Sequence, residues 1–257
     1  MKIFILCGGF GTRLDYEGTL KAKPLVRIGK QPILKHLMDQ FINQGFSEFV
    51  LCLGYRSETI INYFLKDNKK KIKTISKKKN LLKIEFKDKK KISYINLVYT
   101  GKNTGTGGRI KIAYKLMNLN EDILMTYGDG LSDVPIKKLI KFHYNKKAFV
   151  TLTAVRPKER YGILKIKGNR IIHFDNNKRK SNIYINGGFF IISKQEIKKI
   201  ENRNVHWENE PLKYLLKRKK LFAFKHNGFW HSLDTMKDKN DLNRMFHEKK
   251  YLWRIKK

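Results

Sequence analysis

The residues after Lys2 in the stretch Lys2–Cys7 are apolar without a break, the pattern of a strand covered on both faces. Gly8–Gly11 ends that run. Ile33, Leu37 and Phe41 then recur at i, i+4 and i+8, predicting a helix opened by Pro32 and lasting to Gln44, with Gly45 beyond it. A second strand is expected at Phe49–Leu53 and a short helix at Glu58–Leu65. The alternation resumes with strand Ile95–Tyr99, helix Ile110–Met117, strand Asp122–Tyr127, helix Pro135–Tyr144 and strand Phe149–Val155. Strands dominate next, at Tyr161–Lys167, Arg170–Phe174 and Tyr184–Ile192. Short helices at Lys194–Ile200, Glu210–Leu216 and Lys237–Glu248 surround a last strand, Leu221–Lys225. This order predicts an α/β fold: a Rossmann-like mixed sheet flanked by helices, with an added β-rich C-terminal part. We expect a single domain over 1–257, with a core at 1–155 and an appended part at 156–257.

Composition adds limits. In 257 residues, 41% hydrophobic and 12% aromatic, there is enough apolar surface for a core, which excludes wholesale disorder. No window approaches the roughly 18 apolar residues of a membrane span. The first apolar run is too short for a signal peptide, so a cytoplasmic location is expected. Cys7 and Cys52 lie in strand-like runs and read as buried thiols. The net charge is +35, from 57 basic and 22 acidic residues. Only 12 of the 57 are Arg, however, whereas base and phosphate readers lean on Arg forks. The densest stretch, Lys66–Lys91, carries 13 Lys and 3 acids, and the remaining excess is spread along the chain. That is the composition of an AT-rich genome, and nucleic acid is not the expected partner. Lys66–Lys91 is expected to be a solvated loop at a subunit contact.

Four constellations carry candidate chemistry. Leu6-Cys7-Gly8-Gly9-Phe10-Gly11-Thr12-Arg13-Leu14 places glycines directly after the first strand, where backbone N–H groups can approach a ligand. It is not a dinucleotide fingerprint, which would need glycine at Leu14, and no Gly-Lys-[Ser/Thr] follows. Lys23 precedes Pro24, and its ammonium could reach phosphates on the glycine loop or simply face water. Asp129 stands between Gly128 and Gly130 at a strand end, where it suits Mg²⁺ or heads an Asx turn. Asp234 is a second carboxylate or the N-cap of the following helix. The histidines, at 36, 143, 173, 206, 226, 231 and 247, show no metal-ligand spacing.

Taken together, Gly8-Gly9-Phe10-Gly11-Thr12-Arg13-Leu14, Lys23-Pro24, Gly128-Asp129-Gly130 and Asp234 resemble the sugar-1-phosphate nucleotidyltransferases. Tyr99-Thr100-Gly101, Thr106-Gly107-Gly108-Arg109, Ile185-Asn186-Gly187-Gly188-Phe189-Phe190, Trp207-Glu208-Asn209-Glu210-Pro211-Leu212 and Gly228-Phe229-Trp230 through Thr235 are similar to the branch that acts with CTP on glucose 1-phosphate. The resemblance implies in-line attack of a sugar phosphate on CTP, giving CDP-glucose and pyrophosphate. It implies that Leu6, Gly8, Gly9, Gly11, Thr12, Thr104, Arg109 and Gly128 border the nucleotide. Arg13 would neutralise the triphosphate, Lys23 would hold the reacting phosphates, and Asp129 and Asp234 would share Mg²⁺. Asn186, Gly187 and Glu208 would border the sugar. The family's Glu-Lys-Pro is missing: strict register puts Asn177 at its lysine, and Lys178 serves only after a one-residue slip. A homo-oligomer, with no membrane association, is also implied. The rival reading is a non-catalytic nucleotide- or nucleic-acid-binding protein of the same fold; the joint retention of Arg13, Lys23, Asp129 and Asp234 argues against it.

Overall fold

Among the described residues, the apolar runs become the centre of a nine-stranded sheet. The computed structural model describes residues 1–10, 22–88, 91–156, 163–167, 169–175 and 183–254. In chain order the strands are β1 (Ile3–Cys7), a small β2–β3 pair (Arg27–Ile28, Gln31–Pro32), β4 (Glu48–Leu53), β5 (Ile72–Lys78), β6 (Leu81–Asp88) and β7 (Lys91–Tyr99). There follow β8 (Ile123–Tyr127), β9 (Gly130–Ser132), β10 (Val150–Val155), β11 (Ile163–Lys167), β12 (Arg170–Asp175), β13 (Ile185–Ile192), β14 (Leu221–His226) and β15 (Trp230–Ser232). The α-helices are α1 (Ile33–Asn43), α2 (Ser57–Asn62), α3 (Thr106–Leu116), α4 (Ile136–Asn145), α5 (Lys194–Lys198), α6 (Glu210–Lys217) and α7 (Met236–His247). The main sheet runs β14-β10-β13-β8-β1-β4-β7-β6-β5.

β1 is buried at every position because both of its faces are covered. Ile3, Ile5 and Cys7 join one core with Leu37 and Phe41 of α1 and Leu139 of α4. Phe4 and Leu6 join the other, with Ile110 of α3, Trp207 and Leu215 of α6. Each such side chain contributes about 1.5–3 kcal/mol by leaving water, which is why the middle strands need no polar alternation. β1 pairs in parallel with β4 and β8, and β4 with β7. The sheet is mixed because β13, from the C-terminal part, inserts antiparallel between β8 and β10, and β14 extends the edge beside β10.

Two expectations are corrected. The Lys-rich stretch is not a loop: it contains β5 and β6, an antiparallel hairpin that ends the sheet. Leu82, Ile84 and Phe86 alternate toward the core with a period of two, and the intervening lysines conceal the pattern in the sequence. The exposed lysines of β5 lie on an edge strand, where charge discourages pairing with another chain. Lys35, only 5% exposed, ties α1 to this hairpin through Asp88 at 2.8 Å and is held on its own helix by Asp39 at 2.5 Å. Second, α3 begins at Thr106, four residues before the predicted start, and includes Gly107 and Gly108. The glycines lower helix propensity, but Gly108 lies against the backbone of Arg203, where any side chain would collide.

β9 and β15 pair antiparallel, with Gly130 opposite Ser232, and Leu233 N donates to Asp129 O at 2.8 Å. This short ladder joins two motifs about a hundred residues apart in the chain. Among the described residues, no helix is long and apolar enough to cross a membrane.

Candidate active site

At the carboxyl ends of β1 and β8 a cavity of about 470 Å³ opens. In an open α/β sheet this is where ligands bind. The turn after β1 supplies Gly8 and Gly9, the segment after β8 supplies Gly128 and Asp129, and Thr104 and Arg109 form the opposite wall. A second cavity of about 250 Å³ is lined by Asn186, Gly187, Trp230 and Asp234. The two share Tyr127 and Asp129.

Lys23 belongs to a 3-10 turn, Lys23–Leu25, entered from an extended Ala22. Its Nζ lies 2.5 Å from Asp129 Oδ2 and 2.8 Å from Asp234 Oδ1. It is therefore not a solvated surface lysine. Burial acts to discharge the ammonium, but the two carboxylates outweigh it and raise its pKa. Asp234 is not the N-cap of α7 either. Thr235 takes that position, in a capping box with Asp238.

Arg109 lines the larger cavity, yet its guanidinium serves the backbone. One terminal nitrogen donates to Leu53 O (3.2 Å), Thr100 Oγ1 (2.8 Å) and Gly101 O (2.7 Å). The other donates to Gly8 O and Lys102 O, both at 3.0 Å. It thus fastens the ends of β1 and β4 to the segment after β7. Gly8 and Gly54 are glycines because a Cβ at either would run into this guanidinium.

Glu208 lines neither cavity. Its carboxylate accepts from Tyr127 Oη and, at 2.6 Å, from Thr106 Oγ1. Thr106 Oγ1 in turn accepts from Trp207 N at 2.8 Å. Asn186 Nδ2 donates to Tyr127 Oη at 3.4 Å, and its Oδ1 accepts from Gly188 N at 2.9 Å. Burial, followed by the adjacent Glu208 carboxylate, pushes the Tyr127 phenol far above its usual value, so it stays protonated. Trp230 Nε1 donates to Gly187 O at 2.7 Å, fixing the indole against the smaller cavity.

Of the residues singled out in the sequence, Leu6, Gly8, Gly9, Lys23, Thr104, Arg109, Gly128 and Asp129 line the larger cavity. Asp129, Asn186, Gly187 and Asp234 line the smaller one. Gly11, Thr12, Arg13 and Lys178 lie outside the described residues, as does Asn177. Tyr127, the last residue of a predicted strand, and Trp230, inside a motif quoted above, were assigned no role from sequence; His206, which also lines the larger cavity, carried no sequence signal. Among the described residues no cluster of three or more His, Cys, Asp or Glu could hold a metal by itself. The two convergent carboxylates do fit Mg²⁺, which takes one or two carboxylates and completes its shell with water and phosphate oxygens.

The comparisons with known proteins agree with this arrangement. The glucose-1-phosphate cytidylyltransferase of Salmonella typhimurium is 38% identical over 260 residues, covering 99% of each chain. A mannose-1-phosphate guanyltransferase of Saccharomyces cerevisiae is 27% identical over 247 residues, 93% of this chain and 62% of that protein. Among solved structures, HddC from Yersinia pseudotuberculosis, complexed with GMP-PN, matches with a TM-score of 0.68 and 25% identity over 95% of this chain and 99% of that one. The nucleotidyl transferase family model matches residues 2–246. With two cavities meeting at a Lys–Asp–Asp cluster and relatives spanning its whole length, the chain belongs to the nucleotidyl transferase family and is an enzyme of sugar-phosphate nucleotidyl transfer.

Proposed function

We propose that this enzyme transfers the cytidylyl group of CTP to glucose 1-phosphate in the presence of Mg²⁺, releasing pyrophosphate and forming CDP-glucose. The observation that carries the reading is the junction of the two cavities at Asp129 and Tyr127, with the Lys23 ammonium beside it. The larger cavity takes the nucleotide and the smaller one the hexose. The reacting phosphates then meet at Lys23. A phosphate oxygen of the sugar attacks the α-phosphorus of CTP, one P–O bond forms, and the bond to pyrophosphate breaks.

In such a transfer the protein's work is positioning and charge neutralisation. The backbone N–H groups of the glycine loop receive the nucleotide phosphates, and Lys23 offsets charge on the transferring phosphoryl group. Arg13, which follows the glycines in the sequence, is proposed to neutralise the triphosphate, and Lys178 to meet the sugar phosphate. Asp129 and Asp234 would hold Mg²⁺, which when bound neutralises phosphate charge and orients both substrates. Asn186, Gly187 and Trp230 shape the hexose end. Cytidylyl specificity is supported by the 38% identity to a cytidylyltransferase, against 27% to a guanyltransferase. A cytoplasmic homo-oligomer belongs to the same proposal.

The test is pyrophosphate release with glucose 1-phosphate and Mg²⁺, offering CTP, UTP, dTTP, ATP and GTP separately. Release with CTP above all others, abolished by Asp129→Asn, is expected. Preference for another nucleotide would overturn the cytidylyl assignment. Silence with glucose 1-phosphate but turnover with mannose 1-phosphate would overturn the acceptor.

A further inference from the structure

The Lys23 ammonium lies between the Asp129 and Asp234 carboxylates, 2.5 Å from one and 2.8 Å from the other. The three side chains arrive from separate places: a turn near the N-terminus, the end of β8 and the end of β15. Lys23 is 17% exposed in its side chain, and the carboxylates 26% and 36%. An ammonium is a compact point charge. Where it touches both carboxylates it stands where a cation shared by the same two oxygens has to stand. The ammonium and a divalent cation are therefore competitors for one position. The pairing also removes the like-charge repulsion that would otherwise drive the two aspartates apart.

We propose that Lys23 is the resident counter-ion of this carboxylate pair: it keeps Asp129 and Asp234 together before substrate binds and excludes a divalent metal until a polyphosphate draws the ammonium away. This rests on the reading that Asp129 and Asp234 hold Mg²⁺. A nucleotide triphosphate offers Lys23 a new anionic partner within the same cavity, so its arrival draws the ammonium off the two carboxylates. Metal and nucleotide are then positively linked, each raising the affinity for the other by one factor. Metal alone binds weakly, although both protein ligands are already assembled. The same side chain thus acts twice, first on the carboxylates and then on the phosphates, and the metal enters only with cargo present.

The experiment uses Mn²⁺ as the probe, titrated into full-length enzyme without nucleotide and followed by EPR. Wild type, Lys23→Met, Lys23→Gln and the double variant Lys23→Met/Asp129→Asn are compared. Thermal melts with and without Mn²⁺ establish that each is folded and give a second measure of binding. We expect Lys23→Met and Lys23→Gln to bind Mn²⁺ at least tenfold more tightly than wild type, and the double variant to lose that gain. Folded Lys23 variants that bind Mn²⁺ no more tightly than wild type would overturn the counter-ion role. The metal reading is checked separately on wild type with CTP. If pyrophosphate release there requires Mg²⁺ and is lost in Asp129→Asn, equal Mn²⁺ affinities defeat only the role of Lys23. If release is independent of divalent metal, the metal reading and the counter-ion role fall together.

Discussion

Glu208→Gln separates a residue that touches the sugar from one that holds the wall of its pocket. In the structure both carboxylate oxygens are engaged by protein donors, Tyr127 Oη on one and Thr106 Oγ1 on the other. Hydrogen bonds to a charged acceptor contribute about 1.5–3 kcal/mol each. Glutamine preserves shape and one acceptor. Its amide, however, meets a Thr106 hydroxyl that already accepts from Trp207 N at 2.8 Å. One charge-assisted bond is lost and the other becomes neutral. Because Glu208 is only half-buried, water recovers part of the loss, leaving a cost of about 1–2 kcal/mol. For a chain of this size that lowers the melting temperature of the substrate-free enzyme by about 2–8 °C. Since Tyr127 borders both cavities, kcat/KM should also fall, by about 5- to 30-fold if the full cost reaches the transition state. The assay is a thermal melt without ligands, followed by steady-state kinetics in each substrate. Tyr127→Phe closes a double-mutant cycle, and a coupling of about 0.5 kcal/mol or more with Glu208→Gln is expected for groups in direct contact. An unchanged ligand-free melting temperature, together with a raised KM for the sugar phosphate alone, would refute this reasoning and make Glu208 a sugar ligand.

Arg109→Lys should be more severe. An ammonium has three donors, while the guanidinium serves five acceptors, so at least two charge-assisted bonds are lost at about 1.5–3 kcal/mol each. The melt should fall by several degrees and KM for CTP should rise; retention of both values would remove Arg109 from the support of the glycine loop. Asp88 concerns acid stability. Burial raises its carboxyl pKa, but Lys35 and Lys71 outweigh this and hold it below the ordinary 3.8. A depressed folded value stabilises above 3.8, and that contribution is lost as pH falls through the folded value. Asp88→Asn should therefore lower stability at neutral pH, and the gap to wild type should close as pH falls through the folded value in a denaturation series. Cys7 and Cys52 are buried, with burial holding both thiols protonated and Cys52 raised to about 12. They should react with an aromatic disulfide reagent only upon unfolding, and fast native labelling of either would contradict the packing.

What the sequence made legible follows from locality. Continuous apolar runs marked β1, β4 and β8 because burial on two faces erases alternation within the run itself. β5 and β6 escaped because only one of their faces meets the core and the other is crowded with lysine. The insertion of β13 between β8 and β10 is a pairing across long stretches of chain, which no local pattern encodes. The same divide runs through the site. Motifs supplied Lys23, Asp129 and Asp234, but their contact depends on the three-residue β9–β15 ladder, too short to announce itself.

Motif membership also does not say which way a charge points. Arg109 and Glu208 stand in the motifs that most resemble a substrate site, yet their hydrogen bonds go to the protein. Lys23 is likewise engaged with carboxylates. The difference lies in what replaces each partner when substrate arrives. The carbonyls around Arg109 belong to the ends of β1 and β4 and to the segment after β7, so releasing them would cost charge-assisted bonds that no incoming cation is placed to restore. The aspartates around Lys23 can exchange one cation for another, because a divalent ion restores what the ammonium gives up. Arg109 therefore fixes the cavity, whereas Lys23, in the role proposed for it, has both a reason to move and a cation to take its place.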